Sequence, residues 1–199
     1  LGALGERFIK RGQPSLEAQI CNLADEIAYN NHDIDDGLRS GLITLEQLEG
    51  VGLFSRYITV VRTAYPELVG RRLVHETIRR MINALVSDLI ETTSANIAEK
   101  KISSLDDVKN QGPLVGFSQE MRGMQREMKR FLHANLYQHY QVLRMTRKAQ
   151  QIVGDLFSAL LDDPRMLPPQ YQSAKEQARS VADYIAGMTD HFAIEQYTE

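Results

Sequence analysis

Apolar residues recur at intervals of three and four along most of the chain, the spacing of an α-helix with one buried face. Leu16, Ile20, Leu23, Ala24, Ile27 and Ala28 form such a series directly after Pro14-Ser15. Ser15 stands where an N-cap hydroxyl accepts from an orphan N–H of the first turn. Gly37 and Gly41 leave the end of this helix open. Thr44-Leu-Glu-Gln-Leu-Glu predicts a short capped helix over 44–50, stopped by Gly50 and Gly52. Ile58-Thr-Val-Val61 is the most strand-like run, but it stands alone and reads equally as helix or buried extended chain. Val74, Ile78, Met81, Ile82, Leu85 and Leu89 predict a long amphipathic helix over 67–93, with Arg72, Glu76, Arg79 and Asn83 on another stripe. Residues 94–117 are mixed, and Gly112-Pro113 and Gly116 give them loop character.

Helical spacing returns at Ser118 and runs through Met121, Met124, Met128, Phe131, Leu132, Leu136, Tyr140 and Leu143 to Ile152, Leu156 and Leu160. A continuous helix of that length is foreign to a globular domain, so a break is expected near 133–139. Pro164 and Pro168-Pro169 end the region. A last helix is expected over 173–193, burying Ala174, Ala178, Val181, Ala182, Ile185 and Met188. The Met121, Met124 and Met128 stripe reads as core, because thioethers fill irregular gaps between helices. The first 15 residues read as a loop or short helix. There is no series of alternating strands, no glycine-rich phosphate loop and no internal repeat. The expected fold is all-α, with five or six helices.

Composition narrows the class without naming a function. The 199 residues are 43% apolar and 25% charged, with a formal charge of −3, which excludes a disordered chain. Cys21 is the single cysteine, so neither an internal disulfide nor a thiolate-rich zinc site can form, and the balance suits a reducing cytosol. No apolar run approaches the ~20 residues of a membrane span, and no export signal is visible. The expected location is cytoplasmic. The first residue is Leu1 rather than Met, which fits a fragment, a processed product or a trimmed chain.

The chemistry concentrates in Asp25-Glu-Ile-Ala-Tyr29-Asn-Asn-His32-Asp33-Ile-Asp-Asp36-Gly. At about 100° per residue, Asp25, Tyr29, His32 and Asp36 share a sector of about 60° on one helix face, with Asp33 at its edge. Carboxylates suit Mg²⁺, Mn²⁺ or Fe²⁺, an imidazole adds affinity for later transition metals, and a Tyr ring offers a flat face to a sugar or base. The alternative is a solvated acidic helix end, although acidic residues late in a helix oppose the macrodipole.

This stretch resembles the deoxynucleoside triphosphate triphosphohydrolases, specifically the deoxyguanosinetriphosphate triphosphohydrolase-like branch of the HD-domain superfamily. The resemblance continues through Arg71-Arg-Leu-Val-His75-Glu-Thr-Ile-Arg79-Arg80 and Glu120-Met-Arg…Phe131-Leu-His-Ala-Asn-Leu-Tyr137-Gln-His-Tyr140. It resumes at Asp163-Pro-Arg-Met-Leu-Pro-Pro169 and at Ala182-Asp-Tyr-Ile-Ala-Gly-Met-Thr-Asp190. It implies a helical fold around a divalent metal (Mg²⁺, Mn²⁺ or similar), held by His…His-Asp…Asp. On that basis Asp25 matches the last metal ligand, Tyr29 the sugar-stacking tyrosine, and Asp33 the acceptor of the deoxyribose 3′-hydroxyl. The implied reaction releases a deoxynucleoside and inorganic triphosphate from a dNTP. Only 24 residues precede Asp25 and none is His, so the chain reads as a C-terminal portion lacking three of the four ligands, inactive alone. The implied division is 1–117 as the end of the catalytic domain and 118–199 as a helical region packed on it.

Arg71, Arg72, Arg79 and Arg80 are candidate phosphate contacts, with solvated charges or salt bridges to Glu76 as the alternative. His75 reads as a helix histidine, with a phosphate contact as the alternative. Between Arg122 and Lys148 seven Lys and Arg face one Glu127, with Tyr137 and Tyr140 interleaved. That stretch could take a nucleotide, single-stranded nucleic acid or a neighbouring subunit's acidic face. A homo-oligomer is expected. The competing reading is a non-catalytic helical module for oligomerisation or for nucleotide or nucleic-acid binding.

Overall fold

The computed structural model describes residues 5, 9, 12–172 and 176–198. The expectations for most of 1–15 and for Ala174 lie outside them. Helices α1 (Leu16–Ser40), α2 (Leu45–Glu49), α3 (Gly52–Ala64), α4 (Gly70–Glu99), α5 (Leu105–Asn110) and α6 (Gln119–Leu132) lead to a single π-helical turn, His133–Tyr137. After it come α7 (Tyr140–Asp162), a 3₁₀ turn (Pro164–Met166), α8 (Pro169–Gln172), α9 (Gln177–Ala186) and α10 (Asp190–Thr198). Among the described residues there is no strand, and no helix is long and apolar enough to cross a membrane. The all-α expectation is met, with more short helices than the spacing showed.

The caps work as read. Ser15 accepts from the Ala18 N–H, and Thr44 and Gln47 form a reciprocal capping box. Gly37 lies inside α1 rather than ending it. The helix stops at Gly41, whose φ of 73° is the left-handed C-cap conformation that glycine adopts without a Cβ clash. Ile58 and Val61 resolve as helical: with Leu53 and Phe54 they form the buried face of α3, so tertiary burial overrides their β-branched preference. The break expected near 133–139 is the π turn. The expected final helix is two, divided at Gly187 after α9.

The chain divides into two compact units, Leu1–Tyr137 and Gln138–Glu199. In the first, α1, α3, α4 and α6 surround a core containing Ile34, Phe54, Leu85, Met128 and Leu132, all at most 1% exposed. Met121 and Met128 are buried there and Met124 is partly buried, as core methionines. Residues 118–137 pack with this first unit. In the second, Leu160, Leu167 and Val181 form a small core with Phe157, Tyr171, Tyr184 and Ile185.

Several expected buried positions face outward. Ile20, Ile82, Tyr140 and Leu143 are exposed, as are Ala24, Ala28, Ala178 and Ala182. On α4 the buried stripe instead takes in Leu73, Thr77 and Thr93. Small hydroxylated residues fit there because the Thr77 Oγ1 donates to the Leu73 carbonyl at 2.7 Å, which satisfies it without water.

Residues 114–117 of the loop before α6 are buried, so the backbone there needs partners from side chains. Gln19 Oε1 accepts from the N–H groups of Leu114 and Val115, at 3.1 and 3.3 Å. Thr93 accepts from Gly116, Asp88 accepts from Ser118, and Asn96 donates to the Leu114 carbonyl. Polar residues on α1 and α4 thus clamp the segment that leads into α6.

Candidate functional site

The buried side of α1 is Gln19, Ile27, Asn30, Asn31, Ile34 and Gly37. At 100° per residue these positions centre roughly 160° away from the Asp25–Tyr29 sector. Burial of one side therefore turns Asp25, Tyr29, His32 and Asp36 outward, and all four are exposed, Tyr29 by 65%. Asp36 pairs with Arg39 at 3.2 Å. Asp33 sits between the two sides and is half-buried.

The structure brings a residue from outside α1 to this face. The Tyr137 hydroxyl, at the end of the π turn, donates to the Asp33 Oδ2. Burial pushes the Tyr137 phenol up to about 12, the Asp33 hydrogen bond and charge add to this, and Tyr29 contributes least. The phenol is therefore a proton donor throughout the neutral range. The Tyr137 ring also meets His133 edge-on, with centroids 6.4 Å apart. Asp33, Tyr137 and Tyr29 form one group; Asp25 lies further along the same face.

Tyr137 and His133 line a cleft of about 450 Å³ together with Asn30, Lys129, Arg130 and Leu132. Asp25 and Tyr29 themselves lie on open surface, so the three residues of the expected row are not enclosed by this chain. Among the described residues no group of three or more His, Cys, Asp or Glu is placed to hold a metal ion.

Arg72 and Arg79 on α4 border a second cleft, of about 410 Å³, lined also by Tyr65, Leu68, His75 and Glu76. Glu76 holds Arg79 through two hydrogen bonds of 2.8 and 2.7 Å and Arg80 through one of 2.8 Å. The two guanidiniums, Arg79 first, hold the Glu76 carboxyl down at about 2. The Arg80 guanidinium also lies 5.6 Å over the Tyr65 ring. His75 Nε2 lies 3.4 Å from Asp35 Oδ1 and so ties α4 to α1, two residues beyond Asp33. Salt bridges to Glu76 are thus present for Arg79 and Arg80, while Arg72 makes no ion pair among the described residues.

The basic stretch 122–148 is divided between the two units. In the first, Lys129 pairs with Glu26 at 2.7 Å, and the Arg122 guanidinium donates to the Phe117 carbonyl. Gln125, 3% exposed, has both amide atoms without a hydrogen-bond partner beside a cleft of about 350 Å³ edged by Arg122, Arg126 and Lys129. In the second unit Arg144, Arg147 and Lys148 are all exposed on α7.

Tyr137 is the residue that the sequence left out of the site. It is 104 positions from Asp33, and the π turn that aims it carries no spacing signature of its own. The sequence cues are its place in the stretch Phe131-Leu-His-Ala-Asn-Leu-Tyr137, within the expected break, and in the basic stretch 122–148.

Residues 115–199 match a family model described as a phosphohydrolase-associated domain. The whole chain is similar to proteins named deoxyguanosinetriphosphate triphosphohydrolase-like protein. It is 58% identical over 199 residues to one from Bordetella pertussis, covering 99% of this chain and 52% of that protein. The corresponding figures are 58%, 99% and 51% for one from Ralstonia nicotianae, and 55%, 99% and 53% for one from Thiobacillus denitrificans. The chain spans about half the length of the curated relatives it matches and corresponds to their C-terminal part.

Proposed function

We propose that this chain, so closely related to the deoxyguanosinetriphosphate triphosphohydrolase-like proteins, supplies one wall of a nucleotide site in an enzyme that hydrolyses dNTPs to deoxynucleoside and inorganic triphosphate. The observation that carries the reading is the turn-by-turn row Asp25, Tyr29, Asp33 on α1, with Asp25 and Tyr29 aimed away from the buried side and Asp33 at its edge, in a chain whose relatives bear that name. Tyr29 presents a ring face to the sugar. Asp33 accepts the hydrogen bond of the 3′-hydroxyl. Arg72 and its neighbours at the second cleft are placed on α4, the helix that His75 ties to the same end of α1.

Asp25 is assigned as one ligand of a divalent ion such as Mg²⁺ or Mn²⁺. A lone exposed carboxylate does not make a metal site, because the ion's desolvation needs several donors. The described residues of this chain therefore do not fit a metal centre by themselves. The remaining donors, and the surface facing Tyr29, belong in this reading to polypeptide that this chain does not include.

The test is product analysis of the longest native form of the protein with Mn²⁺ and each dNTP. The reading expects deoxynucleoside and inorganic triphosphate in equal amounts. Release of orthophosphate or pyrophosphate instead contradicts it.

A second reading has one observation in its favour. Arg144, Arg147 and Lys148 lie on one exposed side of α7 and make no ion pair among the described residues. Single-stranded nucleic acid would find there an unneutralised cationic stripe. Reversing these three charges should then flatten the salt dependence of oligonucleotide binding. An unchanged slope excludes the stripe.

A further inference from the structure

We propose that Tyr137 is a positioning residue for the sugar-recognition carboxylate, fixing Asp33 so that its second oxygen faces a ligand hydroxyl. The inference rests on the reading of Asp33 given above and adds to it a residue from the far end of the first unit.

The geometry begins with the π turn. An uninterrupted α-helix would carry Tyr137 about 140° round the axis from Leu132. Hydrogen bonding from i to i+5 widens the turn and brings Tyr137 nearer to the side of Leu132, at the edge of the core, where it stays exposed. Leu132, fully buried, and Leu136, 8% exposed, anchor that side in the core. Gly37, one turn beyond Asp33 on α1, leaves the space that Leu136 occupies: a Cβ there would lie 3.3 Å from the Leu136 Cδ1. The close approach sets Tyr137 directly against Asp33.

The chemistry is that of a carboxylate with two acceptor oxygens and one committed donor. The Tyr137 hydroxyl engages Oδ2, and Oδ1 makes no hydrogen bond among the described residues. On a half-exposed helix face an unheld carboxylate turns freely, and a ligand hydroxyl must first immobilise it. A phenol already bonded to one oxygen removes that freedom before the ligand arrives, and a charge-assisted bond is strong enough to hold it. The edge-on contact with His133 steadies the Tyr137 ring in turn.

The experiment uses the longest native form of the protein and compares kcat/KM for each 2′-deoxynucleoside triphosphate with that for its 2′,3′-dideoxy counterpart. The pair turned over fastest is then measured in the parent, Tyr137→Phe, Asp33→Asn and the double variant. Tyr137→Phe should lower the preference for the 3′-hydroxyl about tenfold, mainly through KM, while turnover of the dideoxy nucleotide stays at the parent level. Asp33→Asn should abolish the preference, and adding Tyr137→Phe to it should change nothing more. If Asp33→Asn abolishes the preference and Tyr137→Phe leaves it intact, the inference fails and the reading of Asp33 stands. Equal losses on both nucleotides in Tyr137→Phe mark a merely structural role and overturn the inference as well. A preference that survives Asp33→Asn, or is absent in the parent, overturns the reading of Asp33 and this inference together. So does a parent that releases no triphosphate from any dNTP.

Discussion

Gly37 and Ile43 are packed so closely that a Cβ on Gly37 would stand 2.8 Å from the Ile43 Cδ1. Ile43 is 2% exposed and has little room to yield. Two effects of a larger side chain compete. Alanine is better than glycine inside a helix by about 1 kcal/mol, whereas overpacking a filled core costs about 1–3 kcal/mol. Gly37→Ala should therefore be near neutral to mildly destabilising. Gly37→Val, which adds bulk without alanine's propensity, should cost at least about 2 kcal/mol. Urea denaturation of both variants checks this; a Gly37→Val variant as stable as the parent would show that the contact is slack.

Gln19 holds the entry to α6 from across the sequence. Its amide oxygen serves two buried N–H groups, and its amide nitrogen donates to the Pro14 carbonyl at 3.0 Å. Gln19→Leu fills the same space but leaves the Leu114 and Val115 donors unpaired. At about 1–3 kcal/mol for each of the two unsatisfied groups, the loss should reach about 2–6 kcal/mol. Denaturant midpoints measure it directly, and a change below about 0.5 kcal/mol would mean that water replaces the amide.

Tyr137 gives a pH signature with a defined sign. Its phenol titrates at an ordinary 10.0 when unfolded and is raised to about 12 in the fold. A raised value favours the protonated form in the native state, so its stabilising contribution is complete below pH 10 and is lost as pH climbs toward 12. The stability gap between the parent and Tyr137→Phe should stay constant from pH 7 to about 10 and close above it. A gap that closes at neutral pH would place the phenol elsewhere.

Most of the fold follows from local signals that are complete within a few residues. Ser15 and Thr44 cap helices because their hydroxyls act on N–H groups three positions on, and the methionine stripe is core because its spacing is helical. The outward aim of Asp25 and Tyr29 is legible for the same reason. Ile58-Thr-Val-Val61 was ambiguous because burial on α3, not propensity, decides it. The final helix reads as one in the sequence because apolar spacing continues across Gly187, where α9 ends. Burial of Asn30, Asn31 and Gln125 runs against their polarity and could not be read from the pattern. The Tyr137–Asp33 contact needs the packing of α6 on α1, which no single segment encodes.

In the proposed function the α1 row lines a nucleotide site completed by a metal. The most direct test is release of inorganic triphosphate from dNTPs by the longest native form of the protein, compared between the parent and Asp25→Ala. Asp25 is exposed and outside the core, so its removal should leave folding intact, as circular dichroism would confirm. Mn²⁺-dependent triphosphate release should disappear in the variant. Turnover at the parent rate in a folded Asp25→Ala protein would contradict the proposed function.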